Sequence, residues 1–243
     1  WQESGAPKGV MQLFAAEDSS VVFAADKYIY KVSSQGDLAH IGMLKSGERL
    51  MGDGLTARGT SLYKNGQKVA DGLYGLQAVQ ALEGNTYVAL CDTRTKSKNN
   101  VWVVSAGGRA LAVAPDYRYC VTGEANTHHL ISTIIDKSGK MQHSEAFYYL
   151  HDLSNSTLYP SGEMAFDTKG NLYVATQMGV QVADHNGRVR AILSLPAGRV
   201  NSLAFSGNYL YVLCGARLFV RKMNVEGHNP AHAKVTYKSQ GQG

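Results

Sequence analysis

Helical periodicity is almost wholly missing from this chain of 243 residues. No segment longer than a turn or two places apolar residues three and four apart, which excludes helical bundles, coiled coils and parallel sheets wrapped in helices. Cysteine is scarce as well. The three present, Cys91, Cys120 and Cys214, are too few for a closed disulfide framework and have no Cys or His at ligand spacing for zinc. Two of them end the same kind of apolar segment, Tyr87-Val-Ala-Leu-Cys91 and Tyr211-Val-Leu-Cys214, so they read as small buried hydrophobes. No run approaches the 18 apolar residues of a helical membrane span. There is no Gly-x-Ser-x-Gly elbow, and no glycine-rich loop followed by Lys-Ser or Lys-Thr, so two common signatures of hydrolytic and phosphate-binding sites are missing. Charge is thin: 24 Lys and Arg against 19 Asp and Glu leave a net +5, and only 18% of residues are charged. That balance permits weak attraction to anions without calling for nucleic acid, and no nucleic-acid partner is expected. The one local basic cluster, Arg94, Lys96 and Lys98, has no interleaved aromatics to stack bases and is read as the solvated connection of a hairpin.

What the sequence does contain is a paragraph written twice between Tyr159 and Asn224. The first copy runs Ser161 to Asp167, turns at Thr168-Lys-Gly170, continues Asn171 to Thr176 and Gly179 to Ala183, turns at Asp184-His-Asn-Gly187, and closes with Arg188 to Leu195. The second runs Val200 to Phe205, Tyr209 to Leu213 and Ala216 to Arg221. Short strands rich in Val, Leu, Tyr and Phe, each closed by a Gly or Asn turn and repeated at roughly 40 residues, are the sign of four-stranded sheets arranged radially. The expected fold is therefore all-β: a β-propeller of about six four-stranded blades. Upstream equivalents are Gly9 to Val32, a shortened copy from Leu50 to Leu73 with the hairpin signal Asn65-Gly66, and a third from Leu76 through Thr86 to Leu90 and Val101 to Val104, ending at Ala110 to Val113. The least regular stretch, Tyr117 to Leu158, is read as a fourth blade. Phe14, Val22, Val88, Phe166, Val174, Leu203, Phe205 and Val212 are expected to be buried between the sheets. Residues 1–237 form one domain in this reading and 238–243 a flexible tail; Ala233 to Tyr237 either adds a closing strand or trails off. A start at Trp1 in place of Met fits a chain whose leader has been removed, so an extracytoplasmic, periplasmic or secreted, location is expected.

The phrase Pro160-Ser-Gly-Glu-Met-Ala-Phe-Asp-Thr-Lys-Gly-Asn-Leu-Tyr-Val-Ala-Thr176, then Gly179-Val-Gln-Val182, then Leu195-Pro-Ala-Gly-Arg-Val-Asn-Ser-Leu-Ala-Phe205, resembles the gluconolactonase and regucalcin-like propeller family. The likeness covers about the last third of the chain; the same core phrase is also close to NHL-repeat propellers, which are protein-interaction scaffolds. The resemblance implies a six-bladed propeller and, in the family, hydrolysis of sugar lactones with a divalent cation held by carboxylate and asparagine side chains in the central channel. Matched one by one, those ligands are missing. The aspartate of the family's Pro-Asp-Gly step falls on Ser161, the glutamate opening its first inner strand falls near Lys8, its third-blade asparagine falls near Leu76 or Gln77, and no Pro-Asn-Gly phrase occurs in the fourth blade. A hard cation such as calcium wants six to eight oxygen ligands including carboxylates. No metal and no cofactor are therefore expected.

His128-His129 is the one adjacent histidine pair, but neighbours on a strand point to opposite faces and cannot converge on one ion. What remains is the rim. Tyr74, Gln77, Arg118, Tyr159, Ser161, Glu163, Arg199 and Asn201 open the inner strands and are expected around the mouth of the channel, where aromatics, amides and arginines suit a small polar or carbohydrate-like ligand. Glu163 is the one acid or base available there for catalysis, with lactone hydrolysis as the reaction to consider. The alternative is a non-catalytic scaffold for a protein partner.

Overall fold

The structure, a computed structural model, describes residues 1–4, 7–16, 18, 20–33, 35–98, 100–105, 107–124, 127–151, 162–196, 198–232 and 234–235. After a short strand β1 (Gln2–Ser4), the chain builds a first blade from β2 (Val10–Ala15), β3 (Val21–Ala25), β4 (Tyr28–Val32) and β5 (Leu38–Met43). The second is β6 (Glu48–Gly52), β7 (Leu55–Arg58), β8 (Ser61–Lys64) and β9 (Gln67–Ala70); the third is β10 (Ala78–Leu82), β11 (Thr86–Cys91) and β12 (Val101–Ser105). The fourth is β13 (Leu111–Val113), β14 (Tyr119–Gly123), β15 (His129–Ile135) and β16 (Met141–Tyr149), and the fifth β17 (Met164–Phe166), β18 (Leu172–Thr176), β19 (Gly179–Ala183) and β20 (Val189–Leu193). The sixth holds β21 (Ser202–Ser206), β22 (Tyr209–Cys214) and β23 (Arg217–Lys222). The inner strands β2, β6, β10, β13, β17 and β21 each pack against the next, and β21 packs back on β2, so the six blades close into a ring. Among the described residues the one helical element is a single 3-10 turn, Glu83–Asn85.

Burial explains the sequence pattern. Second strands such as β18 are buried at every position because each face meets a neighbouring blade, which is why they read as unbroken apolar runs. Outer strands such as β5 and β16 face solvent and carry mostly exposed residues. Each pair of adjacent blades encloses its own apolar cluster, and the thinnest, between the first and second blades, has only Ala16, Val22 and Leu50 fully buried. Val22, Val88, Phe166, Val174, Leu203, Phe205 and Val212 lie in the core as expected. Phe14 is only partly buried, packed on that thin cluster.

The turns of the repeat are made by aspartate. Asp136, Asp167 and Asp184 each accept from the backbone N–H groups two and four residues on, at 2.8 to 3.1 Å. Each is followed three residues later by a glycine at positive φ, 81° at Gly139, 82° at Gly170 and 77° at Gly187, which completes the turn without steric cost. Asp167 is fully buried and also receives the Asn171 side-chain amide at 2.8 Å. These carboxylates therefore serve the fold and not the channel.

The ring is sealed from the N-terminus. β1 pairs antiparallel with β23, Gln2 opposite Val220 and Ser4 opposite Leu218, and supplies the outer strand of the sixth blade. The Arg217 guanidinium clasps Glu3 at 2.5 and 2.8 Å across this seam. The closing strand is thus not the segment around Ala233 to Tyr237, part of which, like the tail 238–243, lies outside the described residues.

Two further expectations are corrected. Ala110 to Val113 does not end the third blade: β13 is the inner strand of the fourth, paired with β14 as Leu111 opposite Thr122. The basic stretch around Arg94 is not a hairpin turn, because β12 runs parallel to β11, with Tyr87 opposite Val101. The chain leaves Cys91, crosses over the blade, and forms a bridge between Lys98 and Val101 before β12 begins, with the Ser97 hydroxyl accepting from the Val103 N–H at 2.9 Å. Two of its three cations are engaged, Arg94 with Asp92 at 2.5 Å and the Lys98 ammonium with the Asp71 carbonyl.

Candidate functional site

In a ring of identically oriented blades every inner strand runs the same way, so its first residues gather at one end of the central channel and its last at the other. Contacts between blades confirm the first end: the Glu163 N–H points at the Asn201 carbonyl, 3.4 Å away, and the Arg49 guanidinium donates to the Leu76 carbonyl at 2.9 Å. The second end is covered by the segment 226–232. Its His228 N–H donates to the Phe166 carbonyl at 2.9 Å, and its Asn229 amide to the Ala16 carbonyl at 2.8 Å. The Tyr117 hydroxyl lies 2.6 Å from the Pro230 carbonyl. One strap therefore bridges the ends of β17, β2 and the turn after β13, and closes the channel there.

The channel space above the strap measures about 110 Å³. Its wall is mostly apolar, from Leu13, Val79, Leu111, Val113, Ala165 and Leu203, and is interrupted by Gln12, Gln80, Glu163, His228, Asn229, Asp53 and Lys64. Several of these are already committed. Gln80 Oε1 accepts from the Val113 N–H at 2.7 Å, which ties two inner strands together, and the Lys64 ammonium donates to the Asp53 carbonyl at 2.9 Å beside the closed end. Glu163 and His228 are the groups whose chemistry the channel alters.

Burial pushes the Glu163 carboxyl up to about 7, and the nearby Gln12 amide draws it only part of the way back. Glu163 is only partly buried and keeps some surface toward the channel, yet the protein packed around it is deep enough that desolvation sets the cost of its charge. Burial likewise pushes His228 down to about 4, with His232 adding to the effect, so its imidazole is neutral at ordinary pH. His228 is 6% exposed and its Nε2 is buried without a partner among the described residues.

Of the expected rim set, Glu163 lines the channel. Gln77, Arg199 and Asn201 lie at the same open end, where each precedes an inner strand. Asn201 is spoken for, since its Oδ1 accepts from the Gly215 N–H at 2.9 Å and fixes the β22–β23 turn. Tyr74 is 45% exposed outside the channel, under the Arg94 guanidinium at 5.2 Å. Arg118 is corrected: it follows β13 and directly succeeds Tyr117, so it belongs to the strapped end, opposite Glu163. The error has one source, because reading Ala110 to Val113 as the close of the third blade made Arg118 look like the opening of the next. Tyr159 and Ser161 lie outside the described residues. His128-His129 forms no metal site in the described chain; the His129 ring packs edge-on against Tyr149, 4.6 Å between centroids.

No protein-family model and no curated protein sequence matches the chain. Solved structures do. A putative gluconolactonase superposes with a TM-score of 0.66 at 13% identity, covering 92% of this chain and 91% of that one. A luciferin-regenerating enzyme gives 0.62 at 14%, covering 98% and 96%. A calcium-binding regucalcin from Agrobacterium tumefaciens gives 0.60 at 12%, covering 98% and 94%. The fold is that of the gluconolactonase and regucalcin-like propellers. At these identities the likeness carries the six-bladed architecture and no more.

The divalent cation that this fold implies can be tested against the donors present. Among the described residues, the channel lining near the open end brings one carboxyl, Glu163, and the amides Gln12 and Gln80, the second of which already accepts a backbone N–H. One carboxylate and an amide or two fall far short of the six to eight oxygens, several of them charged, that calcium requires. The donor set does not fit the metal, and no step is derived through one.

Proposed function

We propose that this protein is a ligand-binding propeller that takes a small polar, carbohydrate-like molecule at the open end of its central channel. One observation carries the reading: a carboxyl, Glu163, stands inside a mostly apolar channel whose other end is strapped shut, so the channel is a blind site with one strong anchor. The channel volume accepts only the leading part of a sugar; the rest would lie on the rim beside Gln77 and Arg199. Binding is favoured over hydrolysis, since general acid–base cleavage needs a donor and an acceptor, and the described channel lining near the open end offers one carboxyl. Titration calorimetry with neutral sugars, sugar acids and sugar lactones, alongside release of acid from the lactones, tests the reading. Binding of at least one of these that is weakened by Glu163→Gln supports it, and no binding by any of them removes it.

A second reading has its own observation. The outer strand β5 presents Leu38, Ile41 and Met43 at 44%, 49% and 58% exposure, which suits a scaffold for a protein partner. A Leu38→Asp, Ile41→Asp double variant that leaves sugar binding intact while abolishing capture of a partner would favour it.

A further inference from the structure

Among the described residues, Glu163 has a neutral neighbour, the Gln12 amide, in place of the charged partner that buried carboxylates ordinarily keep. A charge taken out of water is paired, or it coordinates a metal, or it is neutralised. Here the described donors do not suit a divalent metal. Among the described residues the cation that lines the channel is Lys64, whose ammonium donates to the Asp53 carbonyl beside the strapped end, at the other end of the inner strands from Glu163. The group beside the carboxyl that favours its ionised form is the neutral Gln12 amide. At the far end, His228 adds a buried imidazole whose Nε2 has no partner among the described residues. Between the two lies an apolar wall.

We infer that the channel takes a small hydroxylated primary amine, its ammonium paired with the Glu163 carboxylate at the open end and its uncharged hydroxyl-bearing body directed toward His228. An anion is disfavoured, because it would meet the carboxylate where the described channel lining supplies no cation: Arg49 and Arg199 stand at that end outside the lining, and Arg49 donates to the Leu76 carbonyl. A neutral polyol gains hydrogen bonds but leaves the carboxyl unpaired. A monovalent organic cation needs one carboxylate and a few neutral acceptors, which is the set present, whereas a divalent ion needs several times more. Size points the same way. About 110 Å³ is the liquid share of roughly four waters, or a handful of heavy atoms, so an amino alcohol or the amine-bearing end of an amino sugar enters and a larger body remains on the rim.

This inference rests on the proposed role of the channel as the ligand site, and its test separates the two. Ethanolamine, ethylene glycol and glycolate are nearly the same size and differ in charge, positive, neutral and negative. Each is titrated into the parent and into Glu163→Gln at neutral pH and followed by chemical-shift changes in the channel residues. The parent is expected to bind ethanolamine about tenfold or more tightly than ethylene glycol, and glycolate least, since a hydrogen bond to a charged group outweighs a neutral one by that order. Glu163→Gln is expected to erase the preference while retaining a cooperative thermal transition. If sugars bind but ethanolamine shows no advantage, or the advantage survives Glu163→Gln, the amine inference is overturned and the channel reading stands. If neither the sugars nor the three probes perturb the channel, both are overturned.

Discussion

Replacing Glu163 by glutamine should stabilise the protein in a way that depends on pH, and the size of the effect follows from the channel. Moving a carboxyl from its ordinary 4.5 to about 7 corresponds to ~3 kcal/mol at 1.36 kcal/mol per factor of ten. The sign is set by which state holds the proton more tightly. The folded protein does, so stability falls as pH rises from 4.5, and the loss is complete above 7. His228 acts in the opposite sense: its imidazole, ordinarily near 6.5, is held down to about 4 when folded, so stability is lost as pH falls from 6.5 toward 4, again by ~3 kcal/mol. Between 4.5 and 6.5 the two slopes cancel, and the parent should be nearly indifferent to pH there. Glutamine keeps the shape and abolishes the titration. The variant should therefore match the parent near pH 4.5 and exceed it by ~3 kcal/mol near pH 8, which for a chain of this length is a rise of ~6–12 °C in melting temperature. It should also unmask the His228 slope in its own profile. Differential scanning calorimetry of both proteins from about pH 4.5 to about pH 8 measures this. A difference between variant and parent that stays constant with pH would show that the Glu163 carboxyl is not held in a desolvated channel, and the anchor proposed for the ligand would go with it.

Three other outcomes follow from the packing. A Cβ added at Gly227 would overlap the Phe205 ring beneath the strap, so Gly227→Ala should cost more than ~2 kcal/mol in a denaturant titration; an unchanged midpoint would mean that the strap does not lie on the ring. Burial pushes the thiols of Cys91, Cys120 and Cys214 up to about 11, 12 and 11, so the native protein should resist a thiol-labelling reagent and take up three equivalents only once unfolded. Deleting residues 1–4 should lower the melting temperature and promote aggregation by baring the edge of β23, whereas Glu3→Ala, which loses only an exposed ion pair, should leave the melting temperature unchanged.

Much of the architecture was legible because the repeat is written in strong local signals. Second strands such as β3, β11, β18 and β22 are buried at all or all but one position and almost wholly apolar, and Asp-x-x-Gly turns announce the hairpins at Asp136, Asp167 and Asp184. Blade boundaries were less legible where the inner strand is short: β13 has three residues, all buried, and nothing within Leu111 to Val113 distinguishes a last strand from a first. The parallel pairing of β12 hid in the crossover around Arg94, whose polarity is that of any surface turn. N-terminal closure was harder still, because β1 is three residues without an apolar side chain, and only pairing with β23 makes it a strand.

The site was half legible for a reason that points to a better signal. Rim residues were chosen by their place before an inner strand, and that place depended on blade boundaries, which is how Arg118 came to be assigned to the wrong end. A polar residue within an inner strand depends on no such count. Gln12 interrupts Val10–Ala15, Gln80 interrupts Ala78–Leu82, and Glu163 stands directly before Met164–Phe166; all three line the channel. Inner-strand side chains either fill the seam between blades, where an amide or carboxyl would be unpaired, or face the channel, where water or a ligand meets it. Amides in the apolar runs of β2 and β10, with the acid opening β17, therefore mark the channel wall from sequence alone. His228 escapes even this rule, because its position comes from the strap's hydrogen bonds to Phe166, Ala16 and Tyr117, each on a different blade and none near it in the chain.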